Sequence, residues 1–169
     1  MKIRNLRDLF ENELRYIYDC EQKLVKKGLP TMIENSTSPE LRNALEQHLQ
    51  ETRRHVERAE RVFSTIGVDA KAEGNDIFDE MADAVKDIVS DIDSPALRDA
   101  AIIMDGNKVE HYEIAVYGSL VSFAQSLGLQ DAAQILQQTL DEEKAADAKL
   151  TQIGESVVNR RATQDLRAA

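Results

Sequence analysis

His48-Leu49-Gln50-Glu51-Thr52-Arg53-Arg54-His55 lies at the centre of a stretch in which Leu41, Leu45, Ala59, Val62 and Ile66 recur at three- and four-residue steps. That period lines residues along one face of a helix, the face that turns toward a core. His48, Glu51 and His55 continue the same series. An apolar stripe therefore meets three polar steps at its middle and then becomes apolar again, which calls for a chemical reason. The stretch opens on Ser38-Pro39-Glu40-Leu41-Arg42, where serine can cap the free amides of a first turn and proline fits the first helical position.

The same opening recurs at Ser94-Pro95-Ala96-Leu97-Arg98. Together with the breaks at Ser36-Thr37-Ser38-Pro39, Gly67 to Gly74, Asp93-Ser94-Pro95 and Gly128, it predicts four long helices over residues 6–35, 39–66, 95–127 and 130–158. Gly28 and Pro30 are expected to bend the first. The first and third connections are only a few residues long, so each flanking pair should form an antiparallel hairpin. The link over 67–94 is longer and carries Ile77, Phe78, Met81, Val85, Ile88, Val89 and Ile92 at helical spacing, as a short crossover helix would. Two helical hairpins joined by one long crossover form an all-α, ferritin-like four-helix bundle. One such domain is expected over residues 1–158, with a tail over 159–169 that frays.

Composition agrees. The chain of 169 residues is 42% hydrophobic and 31% charged with only 7 Gly and 3 Pro, which suits one helical domain better than a many-turned β-fold. Thirty-one acidic against 21 basic side chains give a formal charge of −10, and no basic block offers a grip on phosphates, so no nucleic-acid partner is expected. The single Cys20 allows no internal disulfide. The charged start Met1-Lys2-Ile3-Arg4 and the absence of an apolar run near ~20 residues point to a cytoplasmic protein with no membrane partner.

The other stripes are interrupted as well. The first helix reads Leu6, Phe10, Leu14, Ile17, Glu21, Leu24; the third reads Ala100, Ile103, Asn107, Glu110, Ile114, Tyr117, Val121, with Glu113 one step aside; the fourth reads Ala133, Leu136, Leu140, Glu143, Asp147, Leu150, Ile153. At ~1.5 Å per residue, Glu21, Glu51, Glu110, Glu113 and Glu143 all fall ~21–27 Å from the turns that join their helices, in one layer across the bundle. Buried glutamates need neutralising, and several at one level demand a cation. A cluster of carboxylates with imidazole suits iron or manganese. Di-iron and di-manganese bundle proteins take one Glu from each of two helices and a Glu/His pair from each of the others, and here His55 and Asp147 follow Glu51 and Glu143 by four residues. His48 is placed either as a ligand or as a partner that orients one. Tyr18 and Tyr117 fall near enough to donate hydrogen bonds to the site, Cys20 is expected to face away from Glu21 as a structural thiol, and His111 to point to solvent. Tyr16 and Tyr112 are candidates for an interface or for plain surface exposure, and the run Asp141-Glu142-Glu143 reads as a solvated face with one inward member.

Tyr18-Asp19-Cys20-Glu21, His48-Leu49-Gln50-Glu51-Thr52, Glu110-His111-Tyr112-Glu113-Ile114-Ala115-Val116-Tyr117-Gly118 and Leu140-Asp141-Glu142-Glu143-Lys144-Ala145-Ala146-Asp147 together resemble the YciE/YciF family of ferritin-like stress proteins, over nearly the whole chain up to Ile153. The resemblance implies a bundle similar to rubrerythrin-type di-iron proteins, and homodimers. Glu110 and Glu113 match the two glutamates that rubrerythrin-like proteins carry three apart on their third helix. No Cys-rich rubredoxin-like site accompanies them, so a redox function implies an external electron donor. The favoured expectation is two iron or manganese ions per chain acting on peroxide or oxygen, or oxidising iron. In it Glu51 and Glu143 bridge, Glu21 and Glu110 are terminal ligands, and His55 and Asp147 complete the two ends. The alternative is a non-enzymatic helical stress protein whose polar layer is structural, whether a salt-bridge layer with arginines or a hydrated register device.

Overall fold

In the computed structural model, which describes residues 2–165, the two Ser-Pro openings start the helices expected of them. Ser38 Oγ accepts from the Leu41 amide and Ser94 Oγ from the Leu97 amide, at 3.4 and 3.2 Å. They begin α3 (Pro39–Thr65) and α5 (Pro95–Ser126). Before them stand α1 (Leu6–Lys23), capped by Asn5, and α2 (Leu29–Asn35); between them lies α4 (Asp76–Ser90); after them come α6 (Gln130–Ile153) and α7 (Asn159–Asp165).

The bend expected at Gly28 and Pro30 takes the form of a π-helical turn, Leu24–Gly28, between α1 and α2. Pro30 has no N–H to return to the carbonyl four residues back, and the Leu29 amide reaches past its usual acceptor to the Leu24 carbonyl. A second π-turn, Gly154–Val158, carries α6 into α7, where Val158 and Ala162 are buried. Residues 159–165 of the tail expected to fray are thus helical, and 166–169 lie outside the described residues. Gly67 and Gly128 close α3 and α5 with φ of 75° and 73°. In both turns the residue after the glycine bonds five back, Val68 to the Phe63 carbonyl and Leu129 to the Ala124 carbonyl, the closure that a left-handed residue makes possible.

The four long helices bury their stripes against one another as a four-helix bundle, with Phe10, Leu14 and Ile17 of α1, Leu41, Leu45 and Val62 of α3, Ile102 and Leu120 of α5 and Leu136 of α6 in the core. Asp99 on α5 ties the halves together at one end. Its buried carboxylate accepts from the Thr37 amide, the Thr37 hydroxyl and the Ser38 amide at 2.7, 2.6 and 2.8 Å. Nearer the middle of the bundle Asn75 pins the crossover. Its side-chain amide donates to the Tyr16 carbonyl and the Tyr112 hydroxyl, its backbone amide donates to Asp19, and its Oδ1 caps α4. On α4 itself Phe78 is buried while Ile77 and Ile88 are exposed. No helix among the described residues is long and apolar enough to cross a membrane.

Candidate metal centre

Each of the four long helices delivers acid or imidazole to one level of the interior. α1 brings Glu21, α3 brings His48 and His55, α5 brings Glu110 and Glu113, and α6 brings Glu143; all six are buried. Their polar atoms gather in two groups, Glu21/His55/Glu143 and His48/Glu110/Glu143, within each of which the candidate donor atoms lie no more than 4.8 Å apart. Glu143 belongs to both. His55 Nδ1 lies 2.9 Å from Glu143 Oε1 and 3.5 Å from Glu21 Oε1, while His48 Nε2 lies 3.1 Å from Glu110 Oε1 and 3.9 Å from Glu143 Oε2. Glu113 stands among them, its Oε1 3.7 Å from the Cys20 thiol.

What neutralises these carboxylates is the central question, because buried ions without partners are costly. Among the described residues, no Lys or Arg pairs with Glu21, Glu110, Glu113 or Glu143, and the two histidines are the cations at hand. Burial, reinforced by the charges of Glu143, Glu21 and Glu110, pushes the Glu113 carboxyl far above the ordinary range. Burial likewise drives Glu143 up to about 8, against the pull of His55. Burial works against charge on His55, but the Glu21 and Glu143 carboxylates prevail and raise it to about 11; His48 is raised in the same way, chiefly by Glu110. One oxygen of Glu21, of Glu110 and of Glu113, both oxygens of Glu143, and the Nδ1 atoms of both histidines have no hydrogen-bond partner. Such a set of convergent, unsatisfied oxygen and imidazole donors fits a pair of hard divalent cations.

The outer sides of the histidines explain how they are aimed. His55 Nε2 lies 2.8 Å from Glu142 Oε2, and Glu142 is itself gripped by both guanidinium nitrogens of Arg58 at 2.8 Å. The Arg58 pair holds the Glu142 carboxyl down at about 2, so it stays an acceptor and fixes the proton on His55 Nε2. When the imidazolium gives up its other proton, Nδ1 is therefore the atom left as a lone pair facing Glu21 and Glu143, the arrangement by which outer carboxylates orient metal-binding imidazoles. His48 has a looser counterpart, with Nδ1 3.7 Å from Glu51 Oε2.

Of the residues expected at the site, Glu21, Glu110, Glu113, Glu143, His48 and His55 come together. Glu51 does not join either group: it sits at the edge, accepting from Gln47 at 2.9 Å, and Thr52 takes the inward step of α3 instead. Asp147 turns to His111, 3.2 Å away, so His111 is exposed yet not alone. Tyr117 donates to Glu21 at 2.5 Å, whereas Tyr18 donates to Glu60 at 2.7 Å, away from the cluster. Cys20 is buried as expected, but its thiol faces Glu113. Tyr112 is half-buried, its hydroxyl accepting from Asn75. Glu142 escaped the sequence reading. Its position between Asp141 and the inward Glu143 looks like ordinary solvated surface, and nothing local signals that Arg58 and His55 of another helix converge on it.

Comparison with known proteins extends over the same residues. The family model described as a domain of unknown function, DUF892, matches residues 5–163. Protein YciF of Escherichia coli K12 is 33% identical over 163 residues, covering 96% of this chain and 98% of the relative. Two solved structures superpose closely. The crystal structure of the E. coli stress protein YciF has a TM-score of 0.88 at 32% identity, covering 93% of this chain and 99% of that one. YcfI from Rhodopseudomonas palustris has a TM-score of 0.87 at 37% identity, covering 89% and 95%. With family model, relative and fold all matching across nearly its whole length, the chain belongs to the DUF892 family of YciF-like stress proteins.

Proposed function

We propose that the protein carries a dinuclear iron or manganese centre that acts on peroxide or oxygen. Glu21 and His55 would hold one ion, His48 and Glu110 the other, and Glu143 both, with Glu113 placed between them. The observation that supports this most is the pair of buried groups sharing Glu143, in which both Glu143 oxygens, one oxygen each of Glu21 and Glu110 and both histidine Nδ1 atoms lack a hydrogen-bond partner and with which no Lys or Arg pairs among the described residues. Two such ions, when bound, would supply Lewis acidity and one electron each for the reduction of peroxide or oxygen. The protein's own groups do the rest. Glu142 and Arg58 keep His55 in one tautomer, Tyr117 donates to Glu21, and the Cys20 thiol donates to Glu113. The surrounding helices keep bulk water from the interior. Electrons must come from outside, since one cysteine cannot build a second iron site of the rubredoxin type.

The test is metal content and melting temperature after expression with iron or manganese supplied, for the parent and Glu143→Ala. Two ions per chain, lost in the variant together with their stabilisation of the native state, are expected. A parent that binds no metal and melts unchanged would overturn the reading. The histidine–glutamate pairs at 3.1 and 2.9 Å would then be a proton-sharing structural layer, and the protein a non-enzymatic member of its family.

A further inference from the structure

The two ends of the cluster differ in their access to solvent. A cavity of about 330 Å³ lies between α3 and α6, walled by Ala44, Leu45, Ala146 and Leu150. His48, Glu51 and Glu142 line it; of the inner cluster only His48 does, and Glu21, His55, Glu110, Glu113 and Glu143 do not. Exposure follows the same direction: Glu21, His55, Glu113 and Glu143 are 0% exposed, whereas Glu110 is 3% and His48 6%. The buried, unpartnered Nδ1 of His48 lies on the same side as Glu51, 3.7 Å from its carboxylate. Small side chains on facing helices, Ala44 and Ala146, leave the opening, and larger ones would close it.

The geometry points to this cleft as the port by which a small, uncharged solute, of the size of peroxide, dioxygen or a short alkyl hydroperoxide, reaches the His48–Glu110 end, the Glu21–His55 end being sealed. This rests on the dinuclear reading above. Charge in the cleft is already matched. Glu51 and Glu142 each lie 3.9 Å from Arg54, and Glu142 is bound by Arg58, so neither carboxylate is free to draw in a cation. Lys149 also borders the cleft, but it is exposed and its ammonium stays in water. Apolar walls leading to a polar inner end favour a compact neutral molecule with a hydrogen-bonding head.

The test uses ferrous full-length protein and nitric oxide, a small uncharged ligand of reduced iron, with the rate of nitrosyl formation followed optically. Metal content is measured first. Ala146→Leu and, independently, Ala44→Leu should bind as much iron as the parent and form the nitrosyl severalfold more slowly. Ala115→Leu, in the separate groove between α1, α4 and α5, should match the parent. Unchanged rates in both cleft variants, or equal slowing in the control, would overturn the port while leaving the dinuclear centre standing. A parent that binds no iron would remove the centre itself and the port with it.

Discussion

Glu142 holds His55 from behind, and its removal separates orientation from ligation. Glu142→Ala takes away the acceptor at 2.8 Å that fixes the imidazole, leaving every residue of the inner cluster in place. Loss of such outer partners costs metal affinity roughly 10–100-fold, so competition against a chelator should show that drop with the helical fold intact. An unchanged affinity would mean that packing alone aims His55. The same scale shows where sequence reading stops. On α3 the buried series is Leu41, Leu45, His48, Thr52, His55, Ala59 and Val62. Glu51 and Thr52 are alternative next steps after His48, three and four residues on, and periodicity cannot choose between them. An ionisable residue looks the more informative, yet neighbouring helices close over the threonine and leave the glutamate at the rim. Asp147 faces the same ambiguity on α6 and turns outward to His111.

At the scale of elements, starts and stops were legible because local chemistry makes them. The Ser-Pro openings of α3 and α5 and the left-handed glycines after them stand where the sequence puts them. The π-turns could not be read the same way, since the wider hydrogen-bond ring leaves no mark in local sequence beyond the Gly28 and Pro30 that signal a bend. Asp99 is a further case, an acid on a buried face whose partners, Thr37 and Ser38, are more than sixty positions away. Removing it strands two backbone amides and a hydroxyl. Asp99→Ala should therefore destabilise the protein by about 3 kcal/mol, the scale of a lost charged acceptor, as read from chemical denaturation. A change within experimental error would show that water satisfies that end instead. Because Asp99 lies about three helical turns from Glu110, metal stoichiometry should be unaffected.

For the whole molecule, the buried layer predicts that stability and, on the proposed function, metal binding respond to pH in opposite senses. Glu143 titrates near 8 in the folded protein against an ordinary 4.5, and His55 near 11 against 6.5. Both are raised, so the folded state holds the extra protons. Glu143's contribution is complete below pH 4.5 and is lost as pH rises through about 8, and that of His55 is complete below 6.5 and lost through about 11. Metal-free protein should melt at progressively lower temperature from about pH 5 to pH 9. Binding metal needs Glu143 ionised and His55 neutral, and so displaces those protons and strengthens over the same range. Thermal melts with and without Mn2+ should diverge as pH rises; curves that stay parallel would argue against a site at these residues.

Asn75 fastens the crossover to α1 and α5 at a single point, and beyond it Phe78 is the one fully buried side chain of α4 among the described residues. The segment between Asp76 and Ser94 joins the two hairpins and supplies none of the six buried acids and imidazoles. The molecule is in this sense a heterodimer whose two subunits are fused. Each supplies half of a buried cluster that neither holds alone: Glu21, His48 and His55 from one, Glu110, Glu113 and Glu143 from the other. Expressed as separate halves, the hairpins should find each other through the same buried faces, and the ions would then act as the bond between two polypeptides.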